Sequence, residues 1–498
     1  MANASSSSER GGGLLETMRI PRQLFLIALC MSSVAARAVP PLYAEQHAPN
    51  PSFNWLEQII ANVPPLVHDR GDSFPMILWE AGPFTPQPAE TYQALLARGL
   101  TQHVQMDENM IPTAQALKAA GSPVIMMQGI GGNWPAELAG ARSVWAHILD
   151  PDFQPTQGLH ACPAITKGWA INADNVRATL QKYKDAGVTV DGVWMDWEGD
   201  PVSGAERYAQ AIHCSRCRAT LPPDVLESEE DFNNYCWRRY QELGGTYFAA
   251  PAMEIFPSCS TTNWRAMIST PERPLTSWSN RLYPPSVPAM FSASNPVAYG
   301  NTVLFYYWQP QFKFDREHVD QFYMHYLLDE VSGDAVNRIT WAPGRESVPW
   351  IGRWVPDEPD PTFPIMTRER YREGLRHLWL RGVSSMQIFN PLHPGFEDLA
   401  LAEVQDAVAI YDEMLEYREF QQGGIAVGLA VPKVQSEKAI WSGLRLGNRA
   451  VVRTFKQGTG ATTINVEPWP NRRILLPATP AGKYYKLKLN GTKVVIDN

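Results

Sequence analysis

Asp191-Gly192-Val193-Trp194-Met195-Asp196-Trp197-Glu198-Gly199 puts two carboxylates two residues apart, directly behind the β-branched run Val188-Thr189-Val190. The pattern reads as a buried strand that ends in acid. Alternate side chains of a strand share a face, so Trp194, Asp196 and Glu198 point one way and Met195 and Trp197 the other. Two carboxyls this close do not ionise independently, and one of them is pushed to a higher pKa. A carboxyl that keeps its proton near neutral pH can act as a general acid. The competing reading is a strand-end pair that caps a turn or holds a metal ion.

Strands and helices alternate around this stretch. Strand patterns at Pro75–Glu80, Gln102–Asp107 and Pro123–Gln128 precede it, separated by the helical patterns Ala89–Arg98 and Thr113–Ala120. Those helices stop at Gly99 and Gly121, and Asp174–Ala186 stops at Gly187, where a left-handed residue ends a helix cheaply. Beyond the stretch the helical patterns are Gly204–Ile212, Asp231–Leu243, Arg316–Val331, Thr367–Leu380 and Glu397–Phe420. Between them, Tyr247–Glu254, Val303–Trp308, Arg338–Trp341 and Val383–Asn390 read as strands five to eight. About eight alternations predict an α/β chain folded as a (β/α)8 TIM barrel, followed by a small C-terminal antiparallel β-domain. The main competitor is a doubly wound open sheet, but no nucleotide-type glycine loop follows the first strand.

The expected division is a leader and signal peptide over 1–38, an irregular segment over 39–72, the barrel over 73–421, and a β-sandwich-like accessory domain over 422–498. Met18-Arg19-Ile20-Pro21-Arg22, the aliphatic run Leu24–Met31 and Ala36-Arg37-Ala38 form a secretory signal with cleavage after Ala38, too short to span a bilayer. The mature chain is therefore expected to be secreted or periplasmic, with no membrane span. Of Cys162, Cys214, Cys217, Cys236 and Cys259, pairs are expected to form disulfides in an exported protein. Cys214-Ser-Arg-Cys217 beside His213 is the alternative start of a zinc site, but no second pair with ligand spacing follows, and neither metal nor cofactor is expected. In the accessory domain Trp441 or Trp469 could offer a carbohydrate platform, though a structural role is the commoner one. Net charge is −8 with no evident basic stripe, which argues against a nucleic-acid partner.

In an eight-fold barrel, chemistry gathers at the C-terminal ends of the strands. The ends expected there are Glu80, Asp107, Gln128, Asp196 with Glu198, Glu254, Tyr306 with Tyr307, Trp308, Trp341 and Asn390. Together with Trp134 they would make an acid-rich cleft walled by aromatic rings, suited to an oligo- or polysaccharide. For Glu80, Asp107 and Glu254 a loop-anchoring hydrogen bond is an equal alternative.

The stretch 191–198 resembles the strand-four signature Asp-Gly-x-Asp-x-Asp-x-Glu of the family-18 glycoside hydrolases, the chitinases and endo-β-N-acetylglucosaminidases. Gly129-Ile130-Gly131-Gly132 is similar to their strand-three Ser-x-Gly-Gly motif. Trp194 stands where that signature has the first Asp of its closely spaced triple, and Gly129 where the other motif has Ser. The resemblance implies the same barrel, with Glu198 protonating the glycosidic oxygen and Asp196 orienting the substrate's own N-acetyl group as nucleophile. It also implies Tyr306 or Tyr307 on the acetamido oxygen, with Trp134, Trp308 and Trp341 stacking on sugar rings. Two other readings stay open: a glycosidase in which Glu80, Asp107 or Glu254 supplies a second protein carboxylate, and a glycan-binding barrel without catalysis.

Overall fold

The computed structural model describes residues 54–79, 85–129, 167–196, 208–209, 211–213, 215–263, 291–299, 318–341, 343–353, 366–389, 397–433 and 436–497. Eight parallel strands form one sheet. They are β1 (Met76–Leu78), β2 (Leu100–Gln105), β3 (Ile125–Gly129), β4 (Gly192–Asp196), β5 (Ser260–Asn263), β6 (Val297–Tyr299), β7 (Trp350–Gly352) and β8 (Gln387–Ile388). Their order is β5-β4-β3-β2-β1-β8-β7-β6. The sheet is curled. β4 and β7 stand five steps apart, roughly 24 Å in a flat sheet at ~4.8 Å per strand, yet the Trp194 and Trp350 rings meet at 4.7 Å. No backbone ladder joins β5 to β6 among the described residues. Thr261 N instead donates to Ser292 Oγ at 2.6 Å, and Ser292 N to Thr261 Oγ1 at 3.2 Å.

Three helix stops behave as their glycines require. Gly99, Gly121 and Gly187 have φ of 69°, 74° and 75° and follow the helices Ala89–Leu96, Ile111–Ala119 and Lys167–Asp185.

Two expected strands are helical. The segment Tyr247–Glu254 prolongs the helix Glu229–Gly244 through a π-helical turn, Gly245–Ala249, into Ala250–Ile255. The widened turn shifts the hydrogen-bond register, so Pro251 sits at the start of a fresh helical segment, where its missing N–H costs little. The turn also brings the helix close to β4: a Cβ on Gly244 would lie 2.9 Å from the Phe291 ring and 3.0 Å from Met195. Strand five is instead Ser260-Thr261-Thr262-Asn263. The segment Arg338–Trp341 closes the long helix Val319–Trp341, where Arg338 Nε donates at 2.8 Å to the fully buried Asp334, one turn earlier. Strand seven is Trp350-Ile351-Gly352. Val303–Trp308 lies outside the described residues, and β6 precedes it.

The C-terminal region is antiparallel. Ile425–Val427, Ala439–Leu446, Arg449–Lys456, Lys483–Asn490 and Lys493–Ile496 form a five-stranded sheet, and the hairpin Thr462–Trp469/Arg472–Ala478 covers it. Between the two lies a core that includes Ala450, Val452, Val466, Trp469, Leu476 and Leu487. Trp441 packs on this core, against a glycine, Gly428, whose Cβ position the indole occupies. Trp469 is buried and donates from Nε1 to the Gly447 carbonyl at 3.0 Å. Trp469 is therefore no free sugar platform, and Trp441 is half-buried.

Buried charge fastens this region to the helix Arg368–Trp379. Glu373 takes two hydrogen bonds from Arg453, at 2.7 and 2.6 Å, and lies 3.2 Å from His377 Nε2. Burial opposes the charged carboxylate, but His377 and Arg453 outweigh it and hold the Glu373 pKa down at about 2.

No disulfide joins Cys217, Cys236 and Cys259 to one another. Cys217 and Cys236 fill one apolar core with Phe232, Leu221 and Val225, so both behave as small apolar side chains there. Cys162 and Cys214 lie outside the described residues, as do residues 1–53 with the expected signal. Among the described residues no helix is long and apolar enough to cross a membrane, and no group of three His, Cys, Asp or Glu could hold a metal ion.

Candidate functional site

β4 rises through the middle of one half of the sheet, paired with β3 on one side and β5 on the other. Successive side chains alternate across it. Trp194 packs inward with Met127, Val297 and Trp350, while Met195 packs outward against the helix at Gly244. Asp196 is the last residue of β4, and its backbone pairs with Gly129, the last residue of β3. Glu198 lies two residues further on, outside the described residues.

One layer below the strand ends, the interior is filled with rings. Trp79, at the end of β1, is the hub: it lies 5.0 Å from Trp194, 4.8 Å from Trp350 and 5.8 Å from Phe389, and stacks on His103 at 5.3 Å. These rings come from β1, β2, β4, β7 and β8. The edge-on packings are the geometry that ring quadrupoles favour, and each pair adds about 0.5–1.5 kcal/mol beyond area burial. Burial pushes the His103 pKa down to about 4, against the opposing effect of the Leu78 carbonyl 3.1 Å from Nδ1. The imidazole is therefore neutral at physiological pH, as an apolar interior demands.

The layer is not wholly apolar. Trp194 is 3% exposed and Thr262, its partner in register on β5, 8%. Among the described residues Trp194 Nε1 and Thr262 Oγ1 have no hydrogen-bond partner. A buried polar group without a partner costs about 1–3 kcal/mol, so these two stand out in a largely apolar layer.

The expected site residues fall into three groups. Trp194, Asp107, Gln128 and Asp196 belong to strands β2, β3 and β4 or the turn directly after β2. Asp107 is exposed and caps a short 3-10 turn, its Oδ1 accepting from the Asn109 N and Nδ2 at 2.8 Å each, and its carbonyl accepts from Tyr183 Oη at 2.6 Å. That is the loop-anchoring role. Glu254 and Trp341 are not strand ends. Glu254 sits exposed on an outer helix, paired with Arg177 Nε at 2.5 Å and Nη2 at 3.1 Å, which lowers its pKa. Trp341 ends the helix Val319–Trp341. Glu80, Trp134, Glu198, Tyr306, Tyr307, Trp308 and Asn390 lie outside the described residues.

Four interior residues escaped the sequence reading as site residues: Trp79, His103, Thr262 and Trp350. Trp79 was passed over because alternation from Glu80, expected to face the cleft, sends Trp79 to the opposite face. Trp350 had only a short run, Val348-Pro349-Trp350-Ile351, to mark it.

No protein-family model matches the chain, and no curated protein matches it by sequence. Its fold is similar to several solved structures. An alpha-L-fucosidase isoenzyme 2 from Paenibacillus thiaminolyticus aligns at 13% identity and TM-score 0.44, over 72% of this chain and 51% of that one. A beta-galactosidase from the Antarctic haloarchaeon Halorubrum lacusprofundi aligns at 15% identity and TM-score 0.45, over 69% of this chain and 58% of that one. An alpha-galactosidase from Geobacillus stearothermophilus aligns at 10% identity and TM-score 0.43, over 88% of this chain and 56% of that one. The chain thus spans about half the length of these proteins.

Proposed function

We propose that the chain is an exported glycoside hydrolase built on a closed (β/α)8 barrel, acting on an N-acetylhexosamine-containing glycan. Glu198 is the general acid, and Asp196 orients the acetamido group of the substrate, which serves as nucleophile. The observation that carries this reading is the register pair Gly129–Asp196. The strands that carry Gly129 and Asp196, one from each stretch that resembles a family-18 motif, are neighbours in one parallel sheet, and the two residues lie at the same end of it. Catalytic groups of such sheets stand at that end. The aromatic layer around Trp79 supports it further, as a floor on which the apolar face of a sugar ring can rest.

Of the three candidates for a second protein carboxylate, Glu254 is committed to Arg177 on an outer helix and Asp107 to its turn, while Glu80 lies outside the described residues. Substrate-assisted hydrolysis needs none of them.

The purified protein should hydrolyse aryl glycosides bearing a 2-acetamido group and ignore those without it. Glu198→Gln should lower that turnover by ~10²–10⁴-fold, the usual weight of general acid catalysis. An unchanged rate in this variant overturns the assignment.

A further inference from the structure

Positive charge is concentrated in the last part of the chain. Residues 438–498 hold eleven Lys or Arg against two Asp or Glu, in a protein of net charge −8. Part of that charge faces the helices: Arg453 pairs with Glu373, Lys486 with Glu416 and Arg449 with Glu419. Lys438, Lys456 and Lys483 lie at the far ends of their strands, and the other five cations are at the opposite end of the sandwich.

Three hairpin turns meet there. The Trp469 Nε1 bond to Gly447 and the 2.8 Å bond from Leu489 N to the Asn448 carbonyl draw together the turns at 447–448, 470–471 and 491–492. Six cations flank these turns: Arg445, Arg449, Arg472, Arg473, Lys488 and Lys493. Arg449 is held by Glu419 and Arg473 by Glu467, at 2.5 Å. No carboxylate of the described residues pairs with Arg445, Arg472, Lys488 or Lys493. Arg449 and Lys488 stand directly opposite each other, with Glu419 neutralising Arg449 and leaving Lys488 exposed without a carboxylate among the described residues.

The neighbouring side chains narrow the choice of anion. The turn tips are Gly447-Asn448, Pro470-Asn471 and Gly491-Thr492, with no large apolar side chain to wedge into a lipid surface. The rings described at this end are Trp469, buried with its N–H used, and Phe420, buried beneath Arg449, so neither offers a face for a nucleobase. What remains is a polar, flexible chain of spaced negative charges.

We propose that this turn end binds an acidic polysaccharide, its uronate or sulfate groups meeting Arg445, Arg472, Lys488 and Lys493. The choice of a glycan rests on the reading of the chain as a glycoside hydrolase; the unpaired positive end does not. The β-region then holds a charged glycan while hydrolysis takes place on the barrel.

The full-length protein, run in affinity gels containing polygalacturonate, a sulfated galactan or a neutral glucan, tests this. Retardation is expected in both acidic gels, weakening on the order of tenfold between about 50 and about 200 mM NaCl as counterions compete. The exposed triple variant Arg472→Gln/Lys488→Gln/Lys493→Gln should lose about tenfold in affinity, through its lost counterion release, with an unchanged unfolding midpoint. Equal retardation by the neutral glucan, full affinity in the variant, or tighter binding to phosphatidylserine vesicles than to either polysaccharide overturns the proposal. Binding by a protein inactive on every aryl glycoside keeps this surface and removes only the hydrolase reading.

Discussion

Gly129 and Asp196 close the ladder between β3 and β4, each the last residue of its strand. The glycine that opens the stretch 129–132 and the first acid of the pair therefore stand side by side at one edge of the sheet. Parallel strands share one direction, and this is why motifs more than sixty residues apart arrive at one edge.

Asp196→Asn should lower turnover of a 2-acetamido aryl glycoside by about 10²–10³-fold, the range seen when one oriented electrostatic group is removed from a site. KM should move little. Steady-state kinetics on that substrate decide it, and a change confined to KM would reduce Asp196 to a binding contact.

Trp194→Ala should destabilise the protein by about 3–5 kcal/mol, because the ring is buried among Trp79, Trp350 and Met127 and leaves a cavity. Trp194→Phe should keep most of that. Urea unfolding reads both, and a loss below ~1 kcal/mol for the alanine variant would mean that the layer collapses to fill the space.

Glu373→Gln leaves Arg453 buried without its counter-charge and should cost about 3–5 kcal/mol. The native carboxyl titrates at about 2, below its ordinary 4.5. Its stabilisation is therefore complete above pH 4.5 and drains away as pH falls toward 2. Unfolding midpoints of the parent between pH 5 and 2 should fall more steeply than those of the Gln variant.

Glu403 has the opposite sign. Burial raises its pKa to about 8, against the opposing hydrogen bond from Arg353 N to Oε1. Between pH 4.5 and 8 the folded protein keeps a proton that the unfolded chain has released, so this group's contribution to stability falls as pH rises. Glu403→Gln should flatten the decline of the unfolding midpoint across that window. Parallel profiles for the two proteins would mean that Glu403 is ionised in the fold.

How much was legible depended on how each element announces itself. β1, β3 and β4 are apolar runs, three of the intervening helices stop at glycines with positive φ, and the C-terminal alternations carry turn residues between them. β5 is Ser-Thr-Thr-Asn and does not register as hydrophobic. Tyr247–Glu254 does register, yet it is a helix, because its apolar side chains are wanted on the inner face of a helix that continues through a π-turn. Arg338–Trp341 is likewise helical because Arg338 must reach Asp334 one turn back.

Local pattern therefore determined the parallel class of the sheet, the acid-tipped strand and the antiparallel C-terminal region, since each rests on periodicity and turn chemistry within a dozen residues. Tertiary structure alone decided the rest. It set the ring layer that joins five strands, the commitment of Glu254 to Arg177, and the pairing of Glu373 with Arg453 across 80 residues. Those depend on how far the sheet curls and which faces pack, and neither is encoded in any short window of the chain.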